Sequence, residues 1–266
     1  MDNWQDMTQA ALDDAYANAS HIPDGDAYPD RWAHDAAGFR ATARHQTLDY
    51  GSGPADRLDL FHPPGPPEGL IVFIHGGYWR RFARSDWSHF AEGGLAAGHA
   101  VAMPGYPLVP SVRISDITRR MAQAVDTAAH RIPGPIRLTG HSAGGHLAAR
   151  LVMADAAPDC ADRIAACVPI SPLTDLRPLI PQSHNADWRL DEAEAQAESP
   201  ALGQPIPGPN VAVHVGADER PSFLWQARAL SDAWSVLLRI APGKHHFDVI
   251  DALRDPSSPL MADILA

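Results

Sequence analysis

Ser142 sits in Gly140-His141-Ser142-Ala143-Gly144, a Gly-x-Ser-x-Gly stretch. Serine is a weak nucleophile at neutral pH, and an enzyme that uses it supplies a general base held in its working tautomer by a carboxylate. Short Gly/Ser patterns arise by chance in loops, so the surroundings decide what this one means. Here an apolar run, Ile136 to Leu138, leads in, and Leu147 to Met153 reads as a helix. That is the strand–turn–helix setting of a nucleophile elbow. Such a turn forces the serine into an unfavourable conformation, requires small neighbours and lifts Oγ clear of the sheet edge. It also aims the first amides of the helix at negative charge forming on a substrate.

The acid and the base should follow the serine in that order, each on a loop after a strand. Val211 to Val215 is a candidate strand, and Gly216-Ala217-Asp218-Glu219 follows it. Asp218 is the expected acid, Glu219 its main competitor, and Asp248 and Asp175 stand further behind. Val236 to Ile240 is the last candidate strand, followed by Ala241-Pro242-Gly243-Lys244-His245-His246-Phe247. His246, just before a helix-starting Phe, is expected to project back toward the sheet edge as the base. His245 is the alternative and is expected to be a solvated loop residue. His141 and His146 flank the serine and are expected to pack rather than react. The 14 histidines show no zinc-like spacing, so neither a metal nor another cofactor is expected.

An oxyanion hole is expected after the third strand, where His75-Gly76-Gly77-Tyr78-Trp79 stands. Two glycines let backbone amides approach a substrate oxygen without a Cβ in the way. The amides of Gly77, Tyr78 and Ala143 are the expected donors, each contributing roughly 3 kcal/mol to transition-state stabilisation. Tyr78 and Trp79 are either core residues or an aromatic wall of the pocket. With Asn185 and Trp188 further along, they are the expected substrate contacts.

The elements that must position these residues are legible in outline. Residues 1–44 are polar, broken by Pro23, Gly25, Pro29 and Gly38, and read as an arm with one short helix from Asp6 to Ala17. Two strands, near His45–Tyr50 and Arg57–His62, suit an antiparallel hairpin. Leu70 to Ile74 is apolar throughout, as a strand buried on both faces should be. Strands at His99–Met103, Ile136–Leu138 and Ile164–Ile170 then alternate with helices at Asp86–Ala97 and Ile114–Ile132. From 171 to 209 the pattern fails in a stretch rich in Pro, Asp, Glu and Ala, read as a small cap insertion. The later strands are separated by a helix from Ser222 to Trp234, and helices at Phe247–Leu253 and Leu260–Leu265 close the chain. One α/β domain over residues 1–266 is expected, with a mostly parallel sheet covered on both faces.

Composition narrows the partners. A formal charge of -11 disfavours nucleic acid and anionic membranes. The two cysteines, Cys160 and Cys167, suggest reduced thiols rather than a disulfide framework. The acidic opening Met1-Asp2-Asn3-Trp4-Gln5-Asp6 has no signal-peptide core, and no apolar run approaches membrane-spanning length. A cytoplasmic protein acting on a small molecule is expected, with a homodimer left open.

The two motifs together resemble the kynurenine formamidases of the α/β-hydrolase superfamily, of the HGGxW type. Leu12-Asp13-Asp14-Ala15-Tyr16, Asp49-Tyr50-Gly51, Leu58-Asp59-Leu60-Phe61, Asp175-Leu176-Arg177-Pro178-Leu179, Ser199-Pro200 and His246-Phe247-Asp248 extend the likeness over most of the chain. The resemblance implies an α/β-hydrolase fold and oxyanion donors at Gly77 and Tyr78, and it implies that His246 is the base. It also implies hydrolysis of N-formyl-L-kynurenine to L-kynurenine and formate in tryptophan catabolism. A short-chain carboxylesterase or thioesterase is the alternative within the class. A binding protein on a hydrolase scaffold is the alternative outside it.

Overall fold

The computed structural model describes residues 4–266. Met1 to Asn3, the start of the acidic opening, lie outside the described residues. Eight strands form one sheet in the order β1-β2-β4-β3-β5-β6-β7-β8. β1 (His45–Asp49) and β2 (Arg57–Phe61) make the hairpin, with His45 opposite Phe61 and Asp49 opposite Arg57. β2 lies antiparallel to β4 (Ala100–Pro104), and from there every pairing is parallel. The remaining strands are β3 (Leu70–Ile74), β5 (Ile136–His141), β6 (Ile164–Ile170), β7 (Asn210–Gly216) and β8 (Leu237–Ala241).

Alternation along β3 assigns its side chains to two cores. Leu70, Val72 and Ile74 pack on one face, and Ile71 and Phe73 on the other. In the arm, α1 (Gln9–Ala15) joins the first core through Leu12, and α2 (Tyr28–Thr42) joins the second through Trp32. A 3-10 stretch from Arg84 to Ala91 runs into α3 (Glu92–Ala96) on that second face. The first face is covered by α4 (Ile114–Ala129) and α5 (Ala143–Arg150). The segment 171–209 holds two short helices, α6 (Asn185–Trp188) and α7 (Glu192–Ala197). α8 (Pro221–Trp234) covers the first face, and α9 (Pro259–Leu265) the second. None of the described helices is long and apolar enough to cross a membrane.

Three expectations about elements change. The helix expected at Phe247–Leu253 is a 3-10 stretch, Val249–Arg254. The arm holds a second helix, α2, where Pro29 and Gly38 had read as breakers. Pro29 falls in the first turn, where a missing N–H costs nothing, and Trp32 and Ala36 give the helix a buried face. The helix expected from Asp86 is 3-10 through its first half.

β3 lies between β4 and β5, so the chain leaves it in opposite directions. A crevice opens at the carboxyl end of the strands at such a reversal. The loop after β3 and the elbow after β5 both sit there.

Candidate active site

Ser142 lies between the end of β5 and the start of α5, with φ 56° and ψ −116°. Such a conformation costs about 1–3 kcal/mol in a residue with a Cβ and persists only where neighbours enforce it. The Ser142 N–H donates to the Ile170 carbonyl at 2.9 Å, and its own carbonyl accepts the His146 N–H at 3.0 Å. The glycines around it leave no room for side chains. A Cβ on Gly144 would lie 1.9 Å from the Ile74 carbonyl oxygen, and one on Gly140 would lie 2.3 Å from the Gly144 oxygen.

The loop after β3 is strained as well, with φ 107° at Gly77, 53° at Tyr78 and 57° at Trp79. A Cβ on Gly76 would be 3.3 Å from Ser142 Cβ, so the loop lies alongside the serine. It is pinned from outside. The Gly77 carbonyl accepts the N–H groups of Arg80 and Arg81, each at 3.1 Å. The Tyr78 carbonyl accepts Trp188 Nε1–H at 3.0 Å, and Tyr78 Oη donates to the Tyr16 carbonyl at 2.7 Å. Among the described residues the amides of Gly77 and Tyr78 have no backbone acceptor. The Ala143 amide opens α5 and has none within the helix. All three expected donors are unspent.

Asp218 is not the residue that meets the histidine. Its side chain is exposed, while Glu219 is buried and its Oε2 accepts His246 Nδ1–H at 2.6 Å. Oε1 of Glu219 accepts the Gly216 N–H at 2.8 Å and the Ser171 hydroxyl. The reason lies in how the loops after β7 and β8 meet. A Cβ on Gly216 would be 2.1 Å from the Lys244 carbonyl, and the Asp218 N–H bonds that same carbonyl at 2.9 Å. This contact turns position 218 outward and 219 inward. A carboxylate only accepts, so the proton of this contact is on His246 Nδ1, and in the neutral ring Nε2 is then the acceptor.

His246 is 3 % exposed and lines the same cavity as Ser142. Its ring lies 4.2 Å from that of Phe223 and 4.6 Å from that of His141. His141 Nε2–H donates to the His246 carbonyl at 2.8 Å, so this residue supports the histidine loop and also lines the cavity. Burial, and then the neighbouring His246, hold its pKa well below the usual histidine value. His146 does pack as expected, edge-on to Trp79. His245 is half-buried rather than a freely solvated loop residue, and it is not among the residues that line the cavity. Its Nδ1 accepts the N–H groups of Phe247 and Asp248, so Nε2–H faces Tyr28 Oη at 3.1 Å.

The cavity measures about 390 Å³, within the range of small-molecule sites. Of the expected substrate contacts only Tyr78 lines it. Trp79 is fully buried, and its ring meets that of Trp188, itself 1 % exposed, at 6.4 Å. Asn185 closes its own turn, bonding both the N–H and the carbonyl of Leu190. The aromatic wall is formed instead by Tyr16 and Trp32 of the arm with Phe82, Trp87 and Phe247. Sequence reasoning missed these five. The available signals were the Leu12–Tyr16 and His246–Asp248 stretches, which carried a resemblance and gave Tyr16 and Phe247 no role. From the 171–209 segment, Gln182 and His184 reach the cavity. Among the described residues, no three His, Cys, Asp or Glu side chains gather as a metal site would require.

The sheet, the strained serine turn and the crevice at the strand ends define a hydrolase of the α/β type. The chain has the α/β-hydrolase fold, and residues 71–201 match the family described as alpha/beta hydrolase fold. Over nearly its whole length it is similar to kynurenine formamidases. It is 25% identical to that of Salmo salar, covering 96% of this chain and 95% of the relative, and 26% identical to that of Danio rerio, covering 96% and 94%. A solved structure from Silicibacter sp. TM1040, provisionally assigned as a thioesterase, superposes with a TM-score of 0.93 at 50% identity, covering 96% of this chain and 99% of that one.

Proposed function

We propose that this hydrolase cleaves an aryl formamide, N-formyl-L-kynurenine, to L-kynurenine and formate, with Ser142 as nucleophile. The observation that carries the reading is the His246–Glu219 pair beside a strained serine in an aromatic-walled cavity. The whole-length likeness to kynurenine formamidases supports the substrate.

Ser142 Oγ attacks the formyl carbon while His246 Nε2 takes its proton. Glu219 keeps Nδ1–H oriented and stabilises the imidazolium that forms. Oγ carries no protein hydrogen bond among the described residues, so its bond to Nε2 forms as substrate closes the site. Negative charge on the carbonyl oxygen falls to the amides of Gly77, Tyr78 and Ala143. His246 then returns the proton to the departing aryl amine. Water attacks the formyl-serine with His246 again as base, releasing formate. A formyl group needs little acyl space, whereas the amine half needs the aromatic wall. Chemistry of this kind needs no cofactor, and a small-molecule substrate is the only partner it requires.

The 50% identical Silicibacter protein favours a second reading, hydrolysis of a short acyl ester or thioester through the same residues. Steady-state assays on one preparation separate the two. kcat/KM is expected to be higher for N-formyl-L-kynurenine than for p-nitrophenyl butyrate or a short acyl thioester, and Ser142→Ala is expected to abolish all three. If the formamide is untouched while an ester or thioester turns over, the second reading replaces the first.

A further inference from the structure

Two buried side-chain carbonyl oxygens lack a hydrogen-bond donor among the described residues: Asn18 Oδ1 and Gln182 Oε1. Both residues line the candidate active-site cavity, yet they come from distant parts of the chain. Asn18 follows α1 and is 7 % exposed, while Gln182 lies in the 171–209 segment and is 3 % exposed. Gln182 Nε2–H already donates to the Pro178 carbonyl at 3.1 Å, so its oxygen is the free end of the amide. The two segments are tied together beside these groups. Asp13 of α1 accepts the Ser183 N–H at 2.9 Å, one residue after Gln182, and Asp13 also lines the cavity.

Buried acceptors are satisfied in nearly all folded proteins, and leaving one bare is costly. A group that satisfies these must donate several hydrogen bonds, and a carboxylate beside them favours a positive one. Carboxylates and phosphates offer no donor, and a hydroxyl offers a single one. A primary ammonium offers three and accepts none. Two arginines line the cavity, Arg80 and Arg81, and Arg80 is engaged by Asp187 at 2.8 Å.

We propose that Asn18, Gln182 and Asp13 form the subsite for a primary ammonium group on the ligand. This rests on the formamidase reading only in naming that group as the α-ammonium of the substrate's amino-acid end. The arm and the 171–209 segment then set specificity for amino-acid aryl formamides, while the catalytic loops act on the formyl end.

The test is calorimetric binding of L-kynurenine and of its desamino analogue, which requires no turnover. Wild-type protein is expected to bind L-kynurenine at least about tenfold more tightly. Asn18→Leu and Gln182→Met remove the oxygens at similar volume, and each is expected to bring that ratio toward one. Equal binding by the wild type, or tighter binding of the desamino compound, overturns the proposal. So does an unchanged ratio in either variant when its circular dichroism matches the wild type. If a variant does not fold, the wild-type ratio decides alone. Failure to hydrolyse N-formyl-L-kynurenine would sink the formamidase reading instead, and the binding ratio would still report on the ammonium subsite.

Discussion

Glu219 does its work with both oxygens. One holds His246 Nδ1–H, while the other takes the Gly216 amide and the Ser171 hydroxyl, so the carboxylate cannot rotate away from the imidazole. Glu219→Gln turns one of these acceptors into an NH2 group and presents a donor to a donor. On the proposed mechanism kcat is expected to fall by about 10³–10⁴, as when an orienting carboxylate is replaced by its amide. Asp218→Asn alters an exposed side chain and is expected to change kcat less than about twofold. Comparable losses in the two variants would refute the assignment. The sequence located the carboxylate partner of His246 to within one residue because strand, loop and chain order all mark that turn. It could not choose between neighbours, since the choice depends on Lys244 pressing on Gly216 from another loop. His246 was legible through a resemblance; the local cue beside it misled, since the helix expected to start at Phe247 is a 3-10 stretch that begins at Val249.

Among the elements, α2 is the one that composition concealed. Its first turn holds a proline and Gly38 is exposed, so the breaker signals were real but lay where a helix tolerates them. Its function comes from packing: Trp32 meets Trp87 at 4.7 Å, Phe247 at 5.4 Å and Tyr28 at 5.6 Å, ring centre to ring centre. Phe247 adjoins His246, so the arm braces the histidine loop as well as walling the cavity. Trp32→Ala is expected to lose about 3–5 kcal/mol of stability, the range for deleting a large buried aromatic. It should also raise KM for an aryl substrate. Urea unfolding and steady-state kinetics on the same variant check both, and a loss below about 1 kcal/mol would mean that the arm is only draped over the site. The strands, by contrast, were legible to within a residue at each end, except β5, which runs on past Leu138 to His141. β3 and β6 are buried, unbroken apolar runs, a pattern set by burial on both faces rather than by distant contacts.

At the scale of the whole molecule, the histidines set how the fold responds to acid. Burial pushes His75 and His89 down to about 4 and His146 to about 3, and it holds His141 well below its ordinary value. These rings stay neutral in the folded chain but protonate near pH 6.5 once unfolded. Between about pH 6.5 and 4 the unfolded chain therefore binds more protons than the folded one, and stability falls as pH falls. Each such ring contributes up to about 1.4 kcal/mol per pH unit inside its own window. The melting temperature is expected to drop clearly between pH 7.5 and pH 5. His89→Gln is expected to flatten that drop in part, and a melting temperature constant across the interval would show that these rings titrate in the folded state.

The Tyr28–His245 contact joins positions 217 residues apart, and the aromatic wall behind it is shared by the beginning and the end of the chain. Ribosomes add about 5–20 residues per second, so roughly 10–40 seconds of synthesis separate the two halves of that contact. Through that interval the apolar side chains of α2 wait for partners not yet made, and the residues around Ser142 are made before His246. On the proposed mechanism, a nascent chain halted before His246 would carry Ser142 and remain catalytically silent. Its uncovered aromatic face would in the meantime be open to chaperones.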